Sequence, residues 1–368
     1  MRVFGIRNSA LSARAVALPA TIMAVVIFGA GTLAHASLII EPTYDPSLTV
    51  ADDSAISAAI AGVEADITSP KNLTVDIYFT SMSSGLGESD TTFSNVSYFQ
   101  YYTTLAAVAT SAAQMTALDS LGAVPSPGSG NPVNGNPDVL ITSAEGRNLG
   151  FNTPGSISVG AGTYDSEISL NTSITYPPGA NDGSNYGLQA VANHEIDEAL
   201  GIGGSGSNLE GTGSLTGAVG DLDLYRYSCN IPVATLVATL TCPAGDANRS
   251  YSNTQMTSPF SYFSINGGET VLSFFSQTTG VDFGDWLSNC SDATVCAGNG
   301  IPNGFGPQVQ DAIAEPSTNP ILGVNELTAF NAIGYTLVAP EPSTLILAAL
   351  SLVTGYILVR RRRTAAAD

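Results

Sequence analysis

Positive charge is scarce in this chain. Its 368 residues carry 11 Lys and Arg against 31 Asp and Glu, a formal net charge of −20. Arg2, Arg7 and Arg14 open the sequence and Arg360, Arg361, Arg362 and Arg363 stand near its end. Between residues 37 and 339 only Lys71, Arg147, Arg226 and Arg249 are basic. So acidic a body repels a phosphate backbone, which argues against nucleic acid as a partner and leaves room for bound calcium. Histidine is scarcer still, with His35 and His194 alone. Successive cysteines (Cys229 and Cys242, Cys290 and Cys296) stand 13 and 6 positions apart. Those spacings are unlike the short knuckles of a four-cysteine zinc site. No Gly-x-Ser-x-Gly elbow precedes a helix, which leaves a Ser-His-Asp hydrolase a distant option. Gly201-Ile-Gly-Gly-Ser-Gly206 follows a helix and lacks a lysine, so it reads as a helix stop and flexible lid, not a phosphate loop.

Both ends are rich in what the body lacks. Residues 1–36 combine a basic start, an apolar run from Ala15 to Ala34 and the small-x-small sequence Ala34-His35-Ala36. This predicts a secretory signal peptide cleaved after Ala36; Pro19 and the small-residue end speak against a retained membrane helix. Cleavage removes His35 and leaves His194 as the only histidine. An even cysteine count in an exported chain favours disulfides, Cys229–Cys242 and Cys290–Cys296 by proximity, with other pairings open. At the other end Pro340-Glu341-Pro342 precedes the apolar run Leu345 to Val359 and the four arginines. The run is short of the ~20 residues of a full span, although arginines can snorkel and mark the cytoplasmic side. Residues 340–363 resemble a PEP-CTERM sorting signal. The resemblance implies an exosortase-type enzyme as partner, transient membrane anchoring through a helix at 345–359, and a destination in the cell envelope or outside the cell. A plain membrane anchor is the alternative.

Between these segments, residues 37–338 read as one domain. Ser37 to Ser47 reads as extended. Asp52 or Asp53 caps a helix running to Asp66. Leu73 to Phe79 alternates as a strand, and Tyr101 to Leu121 has helical spacing. Asp138 to Thr142 and Glu167 to Asn171 read as strands, the second with an edge role. Gly203 to Gly220 is glycine-rich and expected to be mobile. Tyr262 to Phe275 reads as a hairpin turning at Asn266-Gly267-Gly268. Val309 to Ile313 starts a short helix and Asn325 to Ile333 forms a longer one. The order predicts an α+β fold.

The organising stretch is Gln189-Ala-Val-Ala-Asn-His194-Glu195-Ile-Asp-Glu198-Ala-Leu-Gly201. On a helix His194 and Glu198 share one face, with Glu195 beside them. That is the logic of His-Glu-x-x-His zinc hydrolases, in which the intervening Glu is the general base; here a ligating carboxylate, Glu198, replaces the second His. Leu188, Val191, Ala192, Ala199 and Leu200 place the segment near a core, where clustered carboxylates without a cation are costly. Two other readings compete: solvated carboxylates beside a satisfied histidine, and a structural or calcium site. With no second histidine the third ligand falls to a carboxylate, Asp223 first and Asp221 second. A salt bridge to Arg226 is the competing reading of Asp223. Zinc is the first expectation, with manganese or calcium open. Glu195 is the expected base, and Tyr225, Tyr227 or Arg226 a stabiliser of the oxyanion.

These motifs, with Asp223-Leu-Tyr-Arg-Tyr-Ser228, the Tyr262 hairpin, Val309-Gln-Asp311 and Ala332-Ile-Gly-Tyr335, resemble a family of bacterial secreted zincin-like metalloproteases that often carry PEP-CTERM tails. The likeness spans about Asp138 to Tyr335. It implies a metzincin-type domain with a twisted sheet over the active-site helix, and a protein or peptide substrate. The sequence departs from metzincins at Glu198, at Gly204 in place of a third His, and in lacking a Met-turn. A non-catalytic surface or extracellular-matrix protein with the same fold is the alternative.

Overall fold

The alternation at Leu73-Thr-Val-Asp-Ile-Tyr-Phe79 builds the central strand of the domain, Leu73–Ser81, with Val75, Ile77 and Phe79 turned into the core. The computed structural model describes residues 37–180, 183–209, 216–251, 261–277, 280–288 and 306–338. The segments expected to be a signal peptide (1–36) and a sorting tail (339–363, with an expected helix at 345–359), and the expected Cys290–Cys296 pair, lie outside these residues. No described helix is long and apolar enough to cross a membrane.

The main sheet runs in the order Leu38–Tyr44, Leu73–Ser81, Ser166–Leu170, Gly87–Thr91. The first three strands are parallel and the last is antiparallel. Parallel neighbours need a crossover, and helix Val50–Asp66 supplies the first. Thr49, not Asp52 or Asp53, caps that helix. Asp52 closes the capping box instead: its Oδ2 accepts from Thr49 N (2.8 Å) while its own N–H donates to Thr49 Oγ1 (3.3 Å).

Tyr101 to Leu121 is not one helix but two, Tyr98–Val108 and Ala112–Ser120. Ser111 and Gln114 form a second capping box, which restarts the helix. Ser166–Leu170 is an interior strand with a partner on each side. The edge belongs to Gly87–Thr91, whose Gly-Glu-Ser-Asp-Thr sequence has weak strand propensity. Asp138–Thr142 lies between Phe93–Ser97 and Val219–Gly220 in a second sheet.

Towards the C-terminus a small antiparallel sheet joins Ala247–Arg249, Arg226–Cys229, Tyr262–Phe263 and Ser273–Phe274. The Cys229–Cys242 disulfide staples it. The hairpin turns at Gly267 and Gly268, both at positive φ (75° and 89°). The Val309–Ile313 stretch is not helical. It runs beside Trp286, which donates its N–H to Gln310 O (2.7 Å) and accepts from Ala312 N (3.0 Å). Helix Val324–Ala332 closes the described fold.

Candidate metal centre

Helix Leu188–Leu200 buries Leu188, Val191, Ala192, Ile196, Ala199 and Leu200 in the main core. It packs against helix Val50–Asp66 and against strands Gly87–Thr91 and Ser166–Leu170. Gly201 ends it at φ 116°, and the N–H groups of Gly201 and Ile202 both donate to Asp197 O (3.0 and 3.1 Å). The remaining face carries His194, Glu195 and Glu198 onto a cavity of about 700 Å³.

His194 is oriented from behind. Its Nδ1–H donates to Val309 O (2.9 Å), which leaves the Nε2 lone pair facing the cavity. Nε2 stands 3.7 Å from Glu198 Oε1 and 3.6 Å from Asp285 Oδ2. One donor atom from each of the three residues lies within 4.8 Å of the others. These separations exceed a hydrogen bond, which closes to 2.7–3.2 Å. They are close to the roughly 3.4 Å between two ligands ~2.1 Å from a tetrahedral zinc. The donor set of one imidazole nitrogen and two carboxylates is therefore too widely spaced for direct hydrogen bonds, within ion-pair reach of the imidazole, and at distances compatible with ligands of a shared ion.

Asp285 was not foreseen from the sequence. It sits in a short extended segment held on both sides. Asp285 O accepts from Ser276 N (2.7 Å), and Leu287 N donates to Phe274 O (2.7 Å). Next to it Trp286 is fully buried against the Phe263 and Phe275 rings. The only sequence hint was an acidic pair, Asp282 and Asp285, around the chain's single tryptophan.

Further contacts surround these side chains. Ser89 Oγ, on the edge strand, donates to Glu198 Oε2 (2.6 Å), and Gly204 N donates to Oε1 (3.0 Å). Glu195 lies against Gly87: a Cβ there would come within 2.9 Å of Glu195 Cδ. Burial, then repulsion from Glu198, holds Glu195 well above the usual carboxyl range. Burial, then Glu198 and Asp282, does the same to Asp285. Glu198 is also raised by burial, with His194 opposing the rise. For His194 burial alone would lower the imidazole, but the facing Glu195 and Glu198 outweigh it and the net direction is up. The carboxylates repel one another, and the imidazole offsets only part of that repulsion.

The other expected residues are elsewhere. Asp223 is fully buried in an ion pair with Arg226 (Oδ1 to Nε, 3.0 Å) and accepts from Ser207 Oγ (2.8 Å). It does not join the His194 group. Burial excludes it from solvent, and the 3₁₀ turn Leu222–Tyr225 aims it at the chain's one fully buried arginine among the described residues. Asp221 lies against Glu145, also fully buried. Tyr225 donates its hydroxyl to Ala332 O (3.2 Å) and is a core residue outside the cavity lining. Arg226 donates to Phe283 O and stacks on Phe275 (3.7 Å), so it braces the segment that carries Asp285. No family model, curated protein or solved structure matches this chain.

Proposed function

We propose that this chain is an exported metal-dependent endopeptidase of zincin-like architecture, with His194, Glu198 and Asp285 as ligands of a divalent ion, zinc foremost. One observation carries the proposal: an imidazole nitrogen fixed by its own ring N–H, facing two buried carboxylate oxygens at 3.6 and 3.7 Å. An ion held there would polarise a carbonyl and lower the pKa of a bound water toward ~7. Glu195 lines the same cavity and is the proton carrier. It takes the proton from the attacking water and delivers it to the leaving amine.

The cavity wall favours an extended substrate. Gly85, Leu86, Gly87, Glu88 and Ser89 line it, and the strand to which the last three belong is paired on one side only in its sheet. Its free backbone groups suit a peptide added as a further strand, which would lay a scissile bond beside Glu195. The test is hydrolysis of casein or gelatin by the purified wild-type protein and by Glu195→Gln. Cleavage abolished by a chelator and lost in Glu195→Gln is expected. Equal cleavage by both proteins would overturn the reading.

A further inference from the structure

The wall of the cavity at His194 is acidic well beyond the proposed ligands. Besides Glu195, Glu198 and Asp285 it carries Glu88, Asp282, Asp311 and Glu315, and among the described residues His194 is its only one able to hold positive charge. The chain has little to offset them. Lys71, Arg147, Arg226 and Arg249 are the only basic residues between 37 and 338, and none of them lines the cavity. Arg147 is paired with Asp165 (2.7 Å) and Arg226 with Asp223 (3.0 Å). Arg249 donates to Leu224 O and Ser120 O, and Lys71 lies beside Gly150. An ion at His194 would balance Glu198 and Asp285 and leave four wall carboxylates without a counter-charge.

Asp311 differs from the other three in its burial. It is only 6 % exposed; its Oδ2 accepts from Gln308 N (2.9 Å), while Oδ1 has no hydrogen-bond partner. Its backbone is fixed on both sides: Gln310 O accepts from Trp286 N (2.7 Å) and Ala312 N donates to Trp286 O (3.0 Å). The same segment supplies Val309 O, the acceptor that orients His194. Burial first, then Glu326 and Glu315, pushes the Asp311 carboxyl up to about 8, against the Gln308 N–H. A guanidinium or ammonium seated there reverses that push. The four carboxylates do not gather round a second ion, because the described donors close enough together to share one are those of His194, Glu198 and Asp285. They flank the open space instead, which suits a cation carried on a chain. Val309, Ala312 and Ala314 also line the cavity. They give the methylene stem of a lysine or arginine an apolar path towards the carboxyl.

We propose that the substrate is a basic peptide, with a lysine or arginine side chain entering the cavity to pair with Asp311 and Glu315 adding to the attraction. Asp311 is then a specificity residue and not a catalytic one. Cleavage of that peptide rests on the function proposed above; the selection of a cationic side chain does not.

The test uses quenched neutral peptides that carry one arginine, moved position by position, against the same peptides carrying norleucine. With the zinc-loaded wild-type protein, kcat/KM is expected to be about 10–100-fold higher for arginine at one position, the range of a hydrogen bond to a charged group. In Asp311→Asn the ratio of the two kcat/KM values is expected to fall at least fivefold. Should that variant not fold, the partly exposed Glu315→Gln is read in the same way. Equal rates for arginine and norleucine at every position, or a ratio undiminished in the folded variant, overturns the proposal. Fluorescence anisotropy of the labelled arginine and norleucine peptides, titrated with zinc-loaded Glu195→Gln, reads the same preference without turnover. Tighter binding of the arginine peptide with no peptide cleaved by the wild type would sink the peptidase reading and leave the acidic subsite standing. Cleavage with no preference would do the reverse.

Discussion

Asp285→Asn and Asp223→Asn are the same chemical change at two buried aspartates, and the structure gives them opposite outcomes. Asp285 faces His194 Nε2 at 3.6 Å and is crowded by Glu198 and Asp282. Removing its charge takes away one of the three proposed ligands. Changes at residues that only hydrogen-bond to a metal ligand weaken metal affinity roughly 10–100-fold, so a loss of about 100-fold, or ~2.8 kcal/mol, is a lower bound for a ligand itself. Without metal the same substitution relieves repulsion, so the melting temperature of the chelated protein is expected to stay level or rise. Asp223 instead neutralises Arg226 where both side chains have no exposed surface. Breaking a buried pair leaves an uncompensated charge and costs about 3–5 kcal/mol. At roughly 2–4 °C per kcal/mol for a large domain, that is a fall on the order of 10 °C. Zinc affinity of whatever remains folded should change little. The assay is chelator competition for zinc, with thermal melts in EDTA. A loss of zinc affinity in Asp223→Asn equal to that in Asp285→Asn, or no loss in Asp285→Asn, refutes the assignment of the third ligand.

Three other outcomes follow from the same coordinates. Gly87→Ala adds a methyl group against the Glu195 carboxyl and is expected to lower kcat roughly 10–100-fold, with zinc content near wild type, because general-base catalysis contributes at least that much. Glu145 is raised well above its ordinary range by burial and then by Asp221. The folded protein therefore keeps a proton that the unfolded chain releases above about pH 4.5, and stability is lost as pH climbs from there toward the folded pKa. Glu145→Gln should flatten that decline and raise the melting temperature at pH 8, by an amount that vanishes near pH 4; a wild-type-like slope would contradict this. Replacing Cys229 and Cys242 by Ser opens a loop of 13 positions and should cost about 2–4 kcal/mol, measured by denaturant unfolding.

The parts legible in the sequence were those with local causes. The four-residue spacing of His194 and Glu198, the stop at Gly201, the alternation of Leu73 to Phe79 and the Asn266-Gly-Gly turn each lie within one element, and each stands in the structure. The misreadings arose where distant chain decides. Ser166–Leu170 is interior because Gly87–Thr91, a poor strand former, pairs outside it. The helix break at Ser111 came from a second capping box masked by an unbroken apolar rhythm. Asp223 follows the site helix closely, which made it the natural ligand, but Arg226 three positions on captures it. Asp285 is 87 residues beyond Glu198, and only the bracing of Trp286 between two extended segments brings it to His194. Nothing in its immediate sequence encodes that approach.

The central claim is that one imidazole and two carboxylates are spaced for an ion. Elemental analysis of the purified protein, wild type against His194→Ala, tests it most directly. The account predicts one equivalent of zinc or a similar transition ion per wild-type chain and none in the variant. A wild-type protein that binds no such ion under saturating conditions, or a variant that retains a full equivalent, contradicts it.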